Sequence, residues 1–284
     1  MGEHNVLLIG GNGMLGRAMR TALAARGMAF RSPARAECDL LQPDTIRQHC
    51  RGVSIVINCA AWTDVDGAEA NEPAATAING AAVGQLATIC REIGAHLVHY
   101  STDYVFAGDG KDPYPTDAPL APLGAYGRSK AVGEQFIAQQ AALGLHALVL
   151  RTSWLYAPWS KNFVRTIAAA AKARPNLRVV SDQCGRPTSA QHLANVTLRL
   201  LDANAFGVLH ATDGGQTTWF EFATRIAAFA SPVCRVDPCT TAEFPRPAPR
   251  PAYSVLDLTS TEKILGPMPD WRTNLDIVLA NLEP

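Results

Sequence analysis

Seven residues, Gly10-Gly11-Asn12-Gly13-Met14-Leu15-Gly16, join a short apolar run, Val6-Leu7-Leu8-Ile9, to a stretch in which Leu15, Ala18, Met19, Ala22 and Leu23 recur at helical spacing. A continuous run of four apolar residues bounded by turn residues is the pattern of a strand buried on both faces. Between such a strand and a helix, glycines permit a tight turn and let the backbone come close to a pyrophosphate. The helix N-terminus then supplies amide donors and a partial positive charge. This junction commits the N-terminal part of the chain to a parallel α/β sheet of the dinucleotide-binding kind.

The rest of the first half continues the alternation. Strands are expected at Met28–Phe30, Val53–Ile57, Leu97–Ser101 and Ala147–Leu150, and helices over Pro43–Cys50, Asn71–Ile93 and Tyr126–Leu143, with Gly27, Gly94 and Gly144 at helix ends. Asp109–Pro122 is rich in Pro, Gly and Asp and reads as a loop. Such an order gives a Rossmann-type, doubly wound parallel sheet. The second half is less regular. Helices are expected over Phe163–Ala173, Ala190–Asp202 and Trp219–Ala230, a strand over Leu177–Ser181 and an extended loop over Pro245–Pro251. Residues 1–150 therefore read as the nucleotide-binding domain, with added segments from 176–204. Residues 151–175 and 205–284 read as a smaller, discontinuous substrate lobe.

Composition narrows the class. Of 284 residues, 48% are hydrophobic and 18% charged, enough to bury a large core. Lys plus Arg equals Asp plus Glu at 25 each, which argues against a nucleic-acid partner. No apolar run is long enough for a membrane helix. The seven cysteines are scattered without C-x-x-C pairs, which points to the reducing cytoplasm.

Two places carry chemistry. An acidic ribose ligand is expected at the end of the second strand, yet Phe30-Arg31-Ser32-Pro33-Ala34-Arg35 holds no carboxylate and two arginines. Arginine pairs well with a 2′-phosphate, so Arg31 and Arg35 favour NADPH over NADH. Asp39 and Leu40 either meet the adenine amine or form a turn. Further on, Tyr126-Gly127-Arg128-Ser129-Lys130 places a phenol and an ammonium at i and i+4, on one helical face. A tyrosine is a poor acid–base group near neutrality unless a cation favours its phenolate. Thr102 ends a strand, where ligands bind in open α/β sheets, and its hydroxyl can hold a substrate carbonyl.

These features resemble the extended short-chain dehydrogenase/reductases. Asn58-Cys59-Ala60-Ala61-Trp62-Thr63-Asp64-Val65-Asp66, Ser101-Thr102-Asp103-Tyr104-Val105-Phe106, Arg151-Thr152-Ser153-Trp154 and Arg250-Pro251-Ala252-Tyr253-Ser254 narrow the resemblance to the dTDP-4-dehydrorhamnose reductase family. The resemblance implies NADPH-dependent reduction of the C4 ketone of a dTDP-6-deoxy-4-hexulose to give dTDP-L-rhamnose. It implies Tyr126 as proton donor, Lys130 on the nicotinamide ribose and Thr102 on the carbonyl. Gly10, Asn12, Gly13, Met14, Leu15, Gly16, Cys59, Ala60, Ala61 and Thr63 would line the cofactor. Asp103, Tyr104 and Trp154 would flank the sugar, with Asn162 and Arg250 near the nucleotide diphosphate.

Some relatives hold magnesium at a dimer interface through carboxylates. The matching positions here are Ala18 and Gln191, so no metal and a monomer or weak homodimer are expected. Other readings are an epimerase or dehydratase of the same superfamily, or a non-catalytic NADP-binding regulatory subunit. The first lacks a glutamate after Thr102-Asp103; retention of Thr102, Tyr126 and Lys130 weighs against the second.

Overall fold

The computed structural model describes residues 5–283. Strand β1 (Val6–Ile9) leads into helix α1 (Met14–Ala25), and β2 (Phe30–Arg31) into α2 (Pro43–His49). After β3 (Ile55–Asn58) come α3 (Val65–Ala70), α4 (Glu72–Thr76), a π-helical turn at Ala77–Ala81 and α5 (Ala82–Ile93). Then follow β4 (His96–Thr102), α6 (Ala125–Ala142) and β5 (Ala147–Thr152). The second half contains β6 (Leu155–Tyr156), α7 (Phe163–Ala173), β7 (Asn176–Val180), β8 (Cys184–Gly185), β9 (Thr188–Ser189) and α8 (Ala190–Asp202). It ends with β10 (Gly207–His210), β11 (Thr217–Thr218), α9 (Trp219–Ala230), β12 (Arg235–Cys239), α10 (Thr259–Leu265) and α11 (Trp271–Ala280).

Six strands form one sheet in the order β10-β5-β4-β3-β1-β2, every pair parallel. The expected doubly wound sheet is thus present. Its central strands are buried on both faces, which is why they read as apolar runs without alternation. Val6 and Leu8 face a core shared with α1 and α8, while Leu7 and Ile9 face one shared with α5. Each such fully buried side chain contributes about 1.5–3 kcal/mol through the area removed from water. A third core, built on Tyr156, Phe222, Trp271 and Leu275, joins β6, α7, α9 and α11 beyond the sheet.

Three expectations are corrected. The strand expected at Leu177–Ser181 does not belong with the first-half sheet. It pairs with β12 instead, and its alternation of buried Leu177 and Val179 with exposed Asn176 and Arg178 suits a sheet covered on one side only. Conversely β10, assigned by sequence to the substrate lobe, is the edge of the main sheet beside β5. The helix expected over Asn71–Ile93 runs without a gap from Glu72 to Ile93, with Pro73 in its first turn and a π turn at Ala77–Ala81 inside it. Such π turns often mark functional positions. The second strand is also shorter and later than expected, spanning Phe30–Arg31 and not Met28–Phe30. Among the described residues, no helix is long and apolar enough to cross a membrane.

Candidate active site

The carboxyl ends of β1, β3, β4 and β5 open into a cavity of about 700 Å³. Its first wall is backbone. Gly10 has φ +77°, and a Cβ there would lie 2.6 Å from the Ala60 nitrogen, so the turn closes against the residues after β3 only because Gly10 has no side chain. Gly13 is the N-cap of α1 and donates to the Gly10 carbonyl at 3.0 Å; no side chain caps the helix. The first-turn amides of α1 therefore have no intrahelical partners, which suits an anionic phosphate. Gly10, Asn12, Gly13, Met14 and Leu15 line the cavity, as do Cys59, Ala60, Ala61 and Thr63. Gly16 does not: a Cβ there would meet the Gly10 carbonyl at 2.1 Å, so its part is to let α1 seat under the turn.

At one end of this wall stand Arg35, Asp39 and Leu40, with Pro33, Cys38 and Leu41 beside them. Arg35 is largely exposed and only 4.0 Å from the Asp39 carboxylate, a loose pairing that leaves the guanidinium available. Arg31, expected beside it, does not line the cavity. Its guanidinium donates instead to the Arg51 carbonyl at 2.7 Å.

Thr102, Asp103 and Tyr104 come from the end of β4, Tyr126 and Lys130 from α6, and all five line the cavity together. Gly127, between the tyrosine and the lysine, makes this possible. A Cβ at that position would lie 2.1 Å from the Tyr104 carbonyl, so only glycine lets α6 approach the end of β4. Thr102 donates to the Asp103 carboxylate at 2.9 Å and accepts from the Tyr104 N–H at 3.2 Å. Burial pushes the Asp103 carboxyl up to about 6, against the hydrogen bond from Thr102. Burial, then the Asp103 charge, pushes Tyr126 up to about 12, while a hydrogen bond with Thr102 opposes them. Lys130 is driven the other way, down to about 8, mainly by burial, with Glu134 opposing. Its Nζ donates to the Tyr100 carbonyl at 2.5 Å.

The second wall is made of side chains. Trp154, at φ +46°, lies on Trp219 with ring centroids 3.6 Å apart and planes within 11°. Gly185 sits against the Trp154 ring, where a Cβ would be 2.6 Å from it. Trp154 thus has one large aromatic neighbour and one glycine backbone pinning it. Asn162 also lines the cavity, but its polar atoms are used locally. Its amide donates to the carbonyls of Ala157, Trp159 and Ser160, and its Oδ1 accepts from the Arg165 N–H to cap α7. Adjacent Lys161 is exposed, lines the cavity and has no charged partner among the described residues. Arg250 is not on the cavity wall. It pairs with Asp66 at 2.9 Å, as does Arg246, and these contacts tie the loop 245–251 to α3.

Sequence reasoning missed Trp219, Lys161 and a buried support behind the catalytic helix. Asn79, on the π turn, donates to the Ser129 hydroxyl at 2.9 Å and binds both backbone groups of Trp62; Ser129 in turn donates to the Tyr126 carbonyl. No local pattern announces Asn79. Trp219 begins an expected helix, and its place on the wall comes from β8 pairing with β11 just before it. Ala18 is buried inside α1, and among the described residues no three His, Cys, Asp or Glu side chains gather into a metal-sized cluster.

A glycine cradle on the first turn of a parallel sheet, with a Tyr–Lys pair and a strand-end threonine facing it, defines a short-chain dehydrogenase/reductase. Residues 4–283 match the family model described as the RmlD substrate binding domain. The chain is 39% identical over 297 residues to a dTDP-4-dehydrorhamnose reductase of Burkholderia thailandensis, covering 98% of each chain. It is 40% identical over 292 residues to a probable dTDP-4,6-dihydroxy-2-methyloxan-3-one 4-ketoreductase of Streptomyces antibioticus, covering 98% of this chain and 97% of that one. A dTDP-4-dehydrorhamnose reductase of Bacillus anthracis, solved in complex with NADP, superposes with a TM-score of 0.91 at 33% identity over 98% of this chain and 99% of that one. The chain belongs to the dTDP-4-dehydrorhamnose reductase family.

Proposed function

We propose that the chain reduces the C4 ketone of dTDP-4-dehydro-6-deoxy-L-mannose (dTDP-4-dehydrorhamnose) to dTDP-L-rhamnose, using NADPH. The observation that carries this reading is the convergence of Thr102, Tyr126 and Lys130 on a cavity that the Gly10–Leu15 turn also lines. NADPH, when bound, supplies the hydride. The α1 N-terminus and the Gly10 turn hold its pyrophosphate, Arg35 reads the 2′-phosphate, and Cys59, Ala60, Ala61 and Thr63 lie along it. Lys130 holds the nicotinamide ribose.

Thr102, its hydroxyl turned from the Asp103 carboxylate, donates to the ketone oxygen, and Tyr126 gives that oxygen a proton as negative charge develops there, so two donors meet the charge where it forms. The high proton affinity of the Tyr126 phenol keeps it in the donating form at neutral pH. Asp103 and Tyr104 border the sugar, and the edge of Trp154 limits its position. Lys161 faces the diphosphate. Asn162 shapes that region through the loop it braces, and Arg250 reaches the diphosphate only by leaving Asp66.

Resemblance at similar identity to a ketoreductase acting on a different dTDP-deoxysugar favours one second reading, the same reaction on another dTDP-4-ketosugar. The chain is read as a cytoplasmic monomer or weak homodimer, a reading supported by its free cysteines, with buried Ala18 and neutral Gln191 where a metal-bridged dimer needs acids.

The test is ketosugar-dependent oxidation of NADPH by the wild type and by Tyr126→Phe. The substitution should lower kcat by a factor on the order of 10² or more, the usual worth of positioned proton transfer, with NADPH affinity retained. A cofactor-binding subunit without activity would show no oxidation with either protein. An epimerase would convert the sugar without net oxidation.

A further inference from the structure

Behind Lys130, away from the cavity opening, a chain of hydrogen bonds runs to the cofactor wall. The Asn58 Oδ1 accepts from the Ala60 N–H at 3.1 Å. A backbone N–H can only donate, so this contact fixes which end of the Asn58 amide faces Ala60. The Nδ2 end is left facing His99 Nδ1, 3.2 Å away, and must donate to it. The Nδ1 of His99 therefore carries a lone pair, and a neutral His99 bears its proton on Nε2. That Nε2 stands 3.3 Å from the Nζ of Lys130. His99 is fully buried, and burial together with the adjacent Lys130 charge holds its imidazole well below the usual range, so it stays neutral.

We propose that His99 is a positioning residue that presents Nε2–H to Lys130 and disfavours the ammonium form of the catalytic lysine. An ammonium has no lone pair, so against this N–H it makes a donor-to-donor contact. A neutral amine accepts from His99 Nε2–H and still donates to the Tyr100 carbonyl. The charge state of Lys130 is thereby linked to Ala60, one of the backbone groups of the cofactor wall, through two side chains.

The surrounding charges do not supply the same effect. On its own helix Lys130 has Tyr126 and Glu134, and the Glu134 carboxylate is engaged by Arg151 of β5 at 2.7 Å. Across the helix, Glu69 of α3 accepts from the Ala125 N–H and Glu72 of α4 pairs with Arg128. Cys59 and Asp103 share the cavity wall with Lys130. The acidic groups favour the ammonium. Burial and the His99 N–H oppose it.

The inference deepens the reductase reading, which gives Lys130 its role, but its test needs no turnover. NMR of the full chain with 15N-labelled histidine should find His99 as the Nε2–H tautomer, without titration between about pH 5 and 9. An Nδ1–H tautomer or an imidazolium at neutral pH overturns the proposal, and this arm uses the wild type alone. NMR of 13Cε-labelled lysine should show Lys130 titrating near 8 in the wild type. In His99→Gln, whose amide oxygen can accept from the ammonium, and in His99→Asn, which keeps an acceptor for Asn58 but leaves Nζ unopposed, the midpoint should rise by about one unit or more. An unmoved midpoint in either folded variant overturns the proposal. Absence of ketosugar reduction would overturn the functional reading and leave these spectra unaffected.

Discussion

The two walls of the cavity are built on different principles. One recognises through backbone: the Gly10 turn, the uncapped start of α1 and the segment after β3 offer amides held by a sheet whose central strands are buried on both faces. The other recognises through side chains: Trp154, Trp219 and Lys161 project from segments held by short strand pairs such as β8–β11 and β6–β9, two residues long each. A backbone wall serves any chain that can make the turn, so it is well suited to a cofactor common to many enzymes. A side-chain wall can be altered one residue at a time without disturbing the sheet, which suits the part that chooses the sugar.

The sharpest break of the backbone wall is Gly10→Ala. A residue with a Cβ is strained at φ +77°, and the Cβ would stand 2.6–2.9 Å from the backbone of Cys59 and Ala60. Destabilisation of about 2 kcal/mol or more is expected, together with at least a tenfold loss of NADPH affinity. Thermal unfolding and fluorescence titration with NADPH measure the two effects; an unchanged midpoint would mean that the turn relaxes freely.

Between the walls, Asp103→Asn separates function from stability. The folded carboxyl sits near 6, above its ordinary value near 3.8, so its favourable contribution is complete below about pH 4 and is lost as pH rises through 6. Asparagine resembles the protonated form. The variant should therefore be more stable than the wild type at pH 7.5, by roughly 1–3 kcal/mol, and gain little at pH 4. Denaturant unfolding at both pH values checks the sign; equal gains would point to a cause other than charge burial.

Gly185→Ala tests the side-chain wall. The new methyl would strike the Trp154 ring at 2.6 Å and push it along or off Trp219. KM for the nucleotide sugar should rise about tenfold while KM for NADPH stays level, the split expected when a positioning contact on one ligand is lost. Near-ultraviolet circular dichroism should register the disturbed indole stack. Equal rises in both KM values would show that the two walls are not independent.

The smallest effect separates the two arginines. Arg35→Ala should lower the NADPH to NADH ratio of kcat/KM by about five- to tenfold, the scale of an exposed charge-assisted contact. Arg31→Ala should change it little, because that guanidinium is held at the Arg51 carbonyl. The reverse outcome would place the phosphate on the other side of β2.

The chain's local grammar determined the elements that matter most for chemistry. An apolar run, a glycine turn and a helical repeat are read within about twenty residues, and Tyr126 and Lys130 meet because one helical turn brings i to i+4. α7, α8 and α9 begin and end where periodicity and caps place them. What the tertiary structure alone decided lies at long separation. Arg250 meets Asp66 across 184 positions, Asn79 meets Ser129 across 50, and His99 meets Asn58 across 41. β10 and β7 could not be sorted between the main sheet and the lobe, because a short strand's pattern states how many of its faces are buried but not which neighbour buries them. Arg31 and Arg35 look equivalent along the chain. Only the folded chain gives one of them a carbonyl to hold and leaves the other at the cavity, because a side chain's partner is set by whatever distant backbone the fold brings within 3 Å of it.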